Sequence, residues 1–276
     1  MTTLTIARLT LKETQRRRIL WIGLIMGLAF LVIFGTGFHF IYKEFEAEGS
    51  MQDATFAFTF LTLAGLYVSN FLIIMLSVLI SVSTISGEID THTIDTLITK
   101  PIRRWEVVLG KWLGFALMIF FGVLLLPGGI LLTVYLRSGF TMLNVPAGLA
   151  FMYLEGLIIM TVSIAGGTRL STLANGALAF MLYGVAFVGG WVEQVGALLR
   201  NETAVDLGIL SSLILPSEVM WKKASAMFQP SVTGGFEMAG PFSVVSQPSN
   251  AMIVYAVLYV LVLLLAALWS FSRRDL

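Results

Sequence analysis

Charged residues are scarce in this chain of 276 residues. Lys, Arg, Asp and Glu together make up 12% of it, while hydrophobic residues make up 57%. An average soluble domain carries about 25% charged residues, so a soluble protein of this length could not cover its surface with polar groups. Disorder requires low hydrophobicity, and the mean hydropathy here is +0.90. The composition therefore excludes a soluble enzyme and indicates an integral membrane protein.

Other residue types are missing as well. The chain contains no Cys and only two His, His39 and His92. The missing Cys excludes a disulfide framework, a thiol nucleophile and a Cys metal site, and the two distant His offer no metal-ligand spacing. The net charge of +1 comes without the clustered basic face that nucleic-acid binding requires. We therefore expect no cofactor or metal bound by this chain and no nucleic-acid partner.

Long apolar runs are what the chain has in abundance. A helix that crosses the hydrocarbon needs about 20 mostly apolar residues, and the stretches that meet this need are 19–41, 56–85, 112–135, 147–167, 170–191 and 251–271. Residues 207–215 are apolar but too short, and Pro216 stops them, so we interpret this piece as re-entrant or interfacial. The predicted fold class is an all-α integral membrane protein, in which residues 1–276 form one domain with six transmembrane helices.

The few basic residues predict the orientation, because Lys and Arg are enriched in cytoplasmic loops. With the N-terminus inside, 12 of the 17 basic residues lie inside, and the reverse orientation would place most of them outside. We therefore expect both termini in the cytoplasm. Residues 1–18 end in the basic run Arg16, Arg17 and Arg18. They form either an interfacial helix on the lipid surface or an ordinary positively charged anchor.

The most informative segment is 86–111, with the sequence SGEIDTHTIDTLITKPIRRWEVVLGK, between the second and third spans. Its acidic and basic residues balance, whereas a simple orientation signal would be basic only. Ile94, Leu97 and Ile98 follow a helical spacing, Pro101 ends that helix, and a second helix is predicted to start near Arg103. We interpret the segment as a charged amphipathic hairpin that docks a soluble partner. A solvated charged loop is the alternative.

This segment resembles the type-2 permeases of ATP-binding cassette exporters. In that family a Glu is followed by a Gly-Thr pair, a Leu pair, a Pro, an Arg and a Gly-Lys pair that opens the third span. The residues that match at the same spacing, without gaps, are Glu88, Thr93, Leu97, Ile98, Pro101, Arg104, Gly110 and Lys111. His92 departs from the family, which usually has Gly there. The chain looks most like the subgroup related to the permease that serves maturation of the nitrous oxide reductase copper centre.

The resemblance implies a transmembrane permease subunit that catalyses no reaction itself. It also implies that the helix around residues 88–99 is seated in a cleft of a separate ATPase. No G-x-x-x-x-G-K-[ST] motif occurs, so the chain lacks a phosphate-binding P-loop, and ATP and Mg would bind to the ATPase. A second permease copy, identical or a close paralogue, would complete an exporter in the cell membrane of a bacterium or archaeon. The alternative is a non-transporting scaffold that transmits ATPase movement to an extracytoplasmic partner.

One ionisable residue, Glu155, lies well inside a predicted span. A charged side chain at the centre of the bilayer costs about 2.5–3.5 kcal/mol on insertion scales, so Glu155 should face protein or water. We favour a structural role, in which Glu155 is protonated or hydrogen-bonded near Asn70. The alternative is a contact to cargo or to a transported proton. Because Glu155 is a single residue and no cluster of ionisable residues lies within a span, an intramembrane enzyme or a secondary transporter is disfavoured.

Two further features bear on how the helices pack. Pro127 in the third span predicts a bend, because Pro removes a backbone donor, and the bend is either a hinge or fixed. In the fifth span, Gly184, Gly189 and Gly190 predict close contact with a neighbouring helix.

Residues 192–250 form the predicted extracytoplasmic loop with short helices. Ser217, which follows Pro216, is predicted to cap a helix that runs toward Phe228, and Trp221 is suited to the membrane interface. The resemblance implies gate-forming helices here. A cap that covers the ends of the spans is the alternative.

Overall fold

The computed structural model describes residues 2–16, 18–49, 54–87, 103–229 and 247–273. The regular structure within these ranges is helical, without a strand. In chain order the helices are α1 (Thr2–Arg16), α2 (Arg18–Glu48), α3 (Ala54–Ser81), α4 (Arg104–Ser138), α5 (Val145–Gly167), α6 (Thr172–Leu199), α7 (Glu202–Ile214), α8 (Ser217–Phe228) and α9 (Asn250–Ser272).

Six of these helices, α2 to α6 and α9, are long and apolar enough to cross a membrane. The predicted count of six spans and the all-α membrane fold are confirmed. Several helices run past the predicted ends: α4 has 35 residues and is therefore about 52 Å long at 1.5 Å per residue, against a hydrocarbon core of about 30 Å. Hydropathy marks only the part of a helix inside the hydrocarbon, whereas the backbone hydrogen bonds continue through the charged first turns of α4.

The centre of the bundle lies where α3, α4 and α5 meet. Ile73, Ile119 and Met152, one from each helix, are almost completely buried in one apolar cluster. Gly156 allows the close approach, because a Cβ atom there would lie 2.7 Å from Ile119 Cγ2. In contrast, α2 is largely exposed to the surroundings of the bundle. The three central helices thus form a packed core in which a polar side chain needs a protein partner.

One end of the bundle collects the segments that the sequence analysis places in the cytoplasm. Helix α1 packs along the start of α4, and the Lys111 ammonium donates a hydrogen bond to the Thr84 carbonyl just after α3. The Arg169 guanidinium, just after α5, donates to the Ser270 hydroxyl near the end of α9 at 2.8 Å. These contacts bring both ends of the described chain to the same side as the segment between α3 and α4. That this side faces the cytoplasm stays a prediction from the basic residues.

The N-terminal segment forms a helix, α1, with one buried face. Ile6, Ala7, Thr10 and Thr14 are buried on that face, and they lie against α4 rather than against lipid. Leu4 and Leu9 on the other side are exposed. The buried stripe explains why a chain segment with so few apolar residues is helical.

Pro127 lies inside α4 without interrupting it, because the helix is continuous from Arg104 to Ser138. Whether the proline acts as a hinge stays a prediction.

Helices α7 and α8 form a bent pair, which we call the outer hairpin, with an angle of 109° between them. The predicted apolar piece 207–215 is its first half, and it has the arrangement of a re-entrant loop or a broken span. The helix starts earlier than its apolar run, since the Asn201 side chain accepts a hydrogen bond from the Ala204 N–H at 3.1 Å. Leu215 and Pro216 form the corner between α7 and α8.

Two predictions for the outer hairpin are wrong. Pro216, not Ser217, occupies the position before the first turn of α8, and Ser217 is the first helical residue, with its side chain buried. Trp221 does not lie at a membrane interface: it is 5% exposed, and its ring contacts the Tyr67 ring of α3 at 5.3 Å. Both differences have the same cause. Helix α8 packs into the bundle against α5 and α6, so most of its side chains face protein.

The predicted close packing of the fifth span is confirmed for two of its three glycines. A Cβ atom at Gly189 would overlap the Ser211 hydroxyl of α7, and one at Gly190 would overlap the Glu218 side chain of α8. Gly184 has open space around it. The outer hairpin therefore packs on Gly189 and Gly190 of α6. On its own side of this contact, α7 presents Gly208.

We expect the Gly208→Ala variant to lower the free energy of unfolding by about 1–3 kcal/mol, the usual cost of overpacking. The new Cβ atom would lie 2.3 Å from Glu193 Cβ and 2.7 Å from the Gly189 carbonyl oxygen, and a backbone atom cannot move aside cheaply. The matched control is Gly184→Ala, which should keep or raise stability because Ala is the better helix former. Thermal unfolding in detergent compares the two, and equal stability would contradict the described packing.

Candidate functional site

The candidate site is the end of the bundle from which residues 88–102 emerge, which we call the coupling end. Of the residues predicted for ATPase coupling, Glu88, Thr93, Leu97 and Pro101 lie outside the described residues. The other three, Arg104, Gly110 and Lys111, lie in the first turns of α4. The structure therefore describes the two ends of the predicted coupling segment and the helices that hold them.

The first turn of α4 is fixed by a charged residue and by α1. The Arg103 backbone N–H donates a hydrogen bond to Glu106 Oε2 at 3.1 Å, the usual arrangement at the start of a helix. The Thr2 hydroxyl of α1 also donates to the Glu106 carboxylate. Arg104, next to this turn, is half-buried. The helix that follows the coupling segment thus starts where predicted, near Arg103, and is tied to the start of α1.

Gly110 provides the seat on which α1 lies. A Cβ atom at this position would lie 2.7 Å from the Ile6 side chain and 2.8 Å from the Thr3 carbonyl oxygen. One turn further on, a Cβ atom at Gly114 would lie 3.0 Å from the Ala7 carbonyl oxygen. Two glycines four residues apart are on the same helix face, so they form a groove for the α1 backbone. This contact explains why the first residue of the Gly-Lys pair is Gly, since a larger residue would collide with α1.

Lys111 joins α4 to the end of α3. Its side chain is 4% exposed, and its Nζ donates to the Thr84 carbonyl oxygen at 3.1 Å. Carbonyl groups at the end of a helix lack partners within the helix, and a cation is favourable there because of the helix dipole. The ammonium therefore stabilises the chain just where it leaves α3 toward residue 88.

Asn175 of α6 makes a second connection to the end of α3. Its Nδ2 donates to the Val82 carbonyl oxygen at 3.2 Å and to the Ser163 carbonyl oxygen of α5 at 2.8 Å. The Ser86 and Thr172 hydroxyls form a third connection, 2.9 Å apart. Residues 82–87 are thus bound directly to α4 and α6, and Asn175 links them to α5. The sequence analysis did not identify Asn175; the signal it offers is an amide side chain near the start of an apolar span.

Glu155 and Asn70, the predicted intramembrane polar pair, are in direct contact at the centre of the bundle. Asn70 Nδ2 of α3 donates a hydrogen bond to Glu155 Oε2 of α5 at 2.8 Å. Glu155 is completely buried and Asn70 is 3% exposed. The carboxyl group therefore faces protein and not lipid, as expected from the cost of charge in the membrane. Its role in transport stays a prediction.

A comparison with protein-family models matches residues 4–276 to the ABC-2 family transporter protein model. The match covers nearly the whole chain, and it includes the coupling end and the outer hairpin. The chain belongs to the ABC-2 transporter family. No match was found among the curated proteins. As an ABC-2 permease, the chain is a multi-pass transmembrane subunit of an ATP-binding cassette transporter, and its family implies ATPase partners.

The ABC-2 permease also contains buried charges that the sequence analysis missed. Lys222 Nζ of α8 lies 2.8 Å from Glu193 Oε2 of α6, with both side chains nearly inaccessible to solvent. Glu218, one turn before Lys222, is buried beside them. The sequence analysis placed only Glu155 inside a span, but Glu193, Glu218 and Lys222 are buried in the bundle as well. These residues fall in a stretch of mixed polarity that the hydropathy of the chain does not mark as part of the bundle.

Among the described residues, no group of three or more His, Cys, Asp or Glu side chains could hold a metal ion.

Proposed function

We propose that this ABC-2 permease is the membrane subunit of an exporter, powered by a separate ATP-binding cassette ATPase that docks on residues 86–111. The observation that carries the proposal is the set of connections at the end of α3. Lys111 of α4 and Asn175 and Thr172 of α6 bind residues 82–87 to two other helices, and Asn175 also bonds to α5. A displacement of the docked segment would therefore move several spans together.

The two ends of the segment are both attached to α4, and each is also joined to another part of the bundle. The end before residue 88 is joined to α4 through Lys111 and to α6 through Asn175, which also bonds to α5. The end after residue 102 continues into α4 and is joined to α1 by Glu106 and Thr2. Rigid helices that share such contacts move as bodies rather than bending. Closure of the ATPase would then tilt α3 and α4 and alternate the access of a path to the two sides.

Further parts of the proposal come from the resemblance of the segment to type-2 permeases. ATP and Mg would bind to the ATPase, and a second permease copy would form the other half of the transporter in the cell membrane of a bacterium or archaeon. Within the family, the nearest subgroup would be the one related to the nitrous oxide reductase maturation permease. The motif residues at Glu88, Pro101 and Arg104 support these assignments by their spacing.

Replacing Glu88 and Arg104 together by Ala should uncouple ATP hydrolysis from transport while expression stays intact. A hot-spot residue at the centre of an interface costs about 2 kcal/mol or more when truncated, so the loss of coupling should exceed about tenfold. The measurement is transport per ATP hydrolysed, with the permease and its ATPase in liposomes.

The matched control for this double variant removes the same residue types at the opposite end of the bundle. Arg200 and Glu202 are both exposed beside the outer hairpin, and their joint replacement by Ala should leave coupling unchanged. Unchanged coupling in the Glu88 and Arg104 double variant would contradict docking at this segment.

The same liposomes separate an exporter from a scaffold that only transmits movement. An exporter's ATPase activity should rise when its substrate is added. A scaffold should respond to an extracytoplasmic protein partner and not to a small molecule.

A further inference from the structure

The pair formed by Glu155 and Asn70 has two polar atoms without a partner. Asn70 Nδ2 donates to Glu155 Oε2 at 2.8 Å. Within the part of the chain that the structure describes, Glu155 Oε1 and Asn70 Oδ1 have no hydrogen-bond partner, although both are inaccessible to solvent. Burying a polar atom without a hydrogen bond is costly, and such atoms are rare in native proteins. Two of them on side chains that already contact each other therefore need an explanation.

A single proton explains both atoms. An ionised carboxylate can only accept hydrogen bonds, and so can the amide oxygen of Asn. A protonated carboxyl group has one O–H donor in addition. If Oε1 carries the proton, it becomes a donor, and the amide that already contacts Oε2 offers an acceptor in its unpartnered Oδ1. A carboxylic acid and a carboxamide then form two hydrogen bonds that run in opposite directions.

We propose that Glu155 and Asn70 form an intramembrane proton-binding site, in which Glu155 holds a proton on Oε1 and donates it to Asn70 Oδ1. The proton comes from water and binds to the carboxylate, so the pair is neutral when occupied. It joins α3 and α5 by two hydrogen bonds. Release of the proton removes one of these bonds and leaves a negative charge in the centre of the bundle.

Among the described residues that the structure shows in electrostatic interaction with Glu155, none carries a positive charge that could replace the proton. The titratable groups that the structure shows in electrostatic interaction with Glu155 are Glu218 of α8, Tyr67 of α3 and Tyr183 of α6. Helices α4 and α9 also pack against α5, and their described residues add no titratable group to this set. Both lysines of α8 are hydrogen-bonded to other groups, Lys222 to Glu193 and Lys223 to Asn250. An ionised Glu155 would thus face a second carboxyl group and no cation.

The position of the pair links it to the moving parts of the proposed transporter, although the proton site itself does not depend on the ATPase. Helix α3 leads to the coupling end, and α5 carries the contact surface for α8. The proton therefore controls whether one or two hydrogen bonds join α3, which leads to residue 88, to α5, which supports the outer hairpin.

Infrared spectroscopy of the full chain in lipid bilayers at neutral pH tests the proposal. The spectrum of the native protein minus that of Glu155→Gln should contain the carbonyl band of a hydrogen-bonded carboxylic acid. The control variant Glu218→Gln should keep that band. If the difference spectrum contains carboxylate bands in place of the acid band, the proposal is overturned. It is also overturned if the acid band is lost in Glu218→Gln but kept in Glu155→Gln.

Two substitutions separate a proton site from a merely structural polar contact. In Glu155→Gln the new amide can donate to Asn70 Oδ1 and accept from Asn70 Nδ2, so the melting temperature should stay close to that of the native protein. In Asn70→Leu the acid loses its partner, so its carbonyl band should shift to a higher frequency. An unshifted band in a folded Asn70→Leu variant would refute the pairing. If that variant does not fold, the spectrum of Glu155→Gln decides the question alone.

Discussion

The Lys222→Met variant is expected to lose about 3–5 kcal/mol of the free energy of unfolding, the usual cost of removing one partner of a buried ion pair. Met keeps the length of the side chain, but the Glu193 carboxylate loses the ammonium that lies 2.8 Å away. That carboxylate is buried between α6 and the outer hairpin, where water cannot replace the lost partner. Unfolding of the purified protein by denaturant or heat measures the loss.

Two controls distinguish the ion pair from the general effect of removing a lysine. Lys223→Met removes the neighbouring ammonium, whose partner is the neutral Asn250 Oδ1 at 3.1 Å, and should cost clearly less. The double variant Lys222→Met with Glu193→Gln should recover most of the stability, because no charge stays unpaired. A Lys222→Met variant as stable as the native protein would contradict the described pair. So would a double variant whose loss of stability equals the losses of Lys222→Met and Glu193→Gln added together.

The Lys111→Met variant should keep its ATPase bound but lose most of the coupling between hydrolysis and transport. A buried hydrogen bond to a charged group contributes about 1.5–3 kcal/mol, which corresponds to about 10- to 100-fold in an equilibrium between coupled and uncoupled states. Without the ammonium, the end of α3 is no longer attached to α4 at Thr84, so α3 and α4 no longer move together when the docked segment is displaced. Transport per ATP hydrolysed measures the loss, and co-purification measures ATPase binding.

Lys12→Met is the matched control, because it removes the same charge at the same end of the bundle from the exposed side of α1. Its coupling should equal that of the native protein. If Lys12→Met and Lys111→Met reduced coupling equally, the effect would come from basic charge at the coupling end and not from the connection to Thr84.

Hydropathy and spacing predicted the spans and the central polar pair because both depend on the solvent. A segment such as Ala54–Ser81 must be apolar to lie in lipid. For the same reason, the isolated Glu155 had to find a polar partner, and Asn70 was the amide within reach along the neighbouring span. The glycines at Gly189 and Gly190 were recognisable because close helix packing needs small side chains.

The outer hairpin and the connections at the coupling end depend on which helices meet, and no local pattern specifies that. Trp is a residue type that is common at membrane interfaces, but α8 turns back into the bundle and buries Trp221 against Tyr67. Lys222 and Glu193 are 29 residues apart, so only the fold brings them together. Asn175 is an ordinary polar residue in the sequence, and its hydrogen bonds to Val82 and Ser163 follow from the crossing of α3, α5 and α6.

Cross-linking to the ATPase from a single introduced cysteine tests the central claim most directly. The chain contains no Cys, so a photoreactive thiol reagent labels only the substituted position. In the complex with its ATPase, the Leu97→Cys variant should give an adduct between the two subunits. The control is Leu143→Cys, at an exposed position between α4 and α5 at the opposite end of the bundle, and it should give none. No adduct from position 97, or an equal adduct from position 143, would contradict the account.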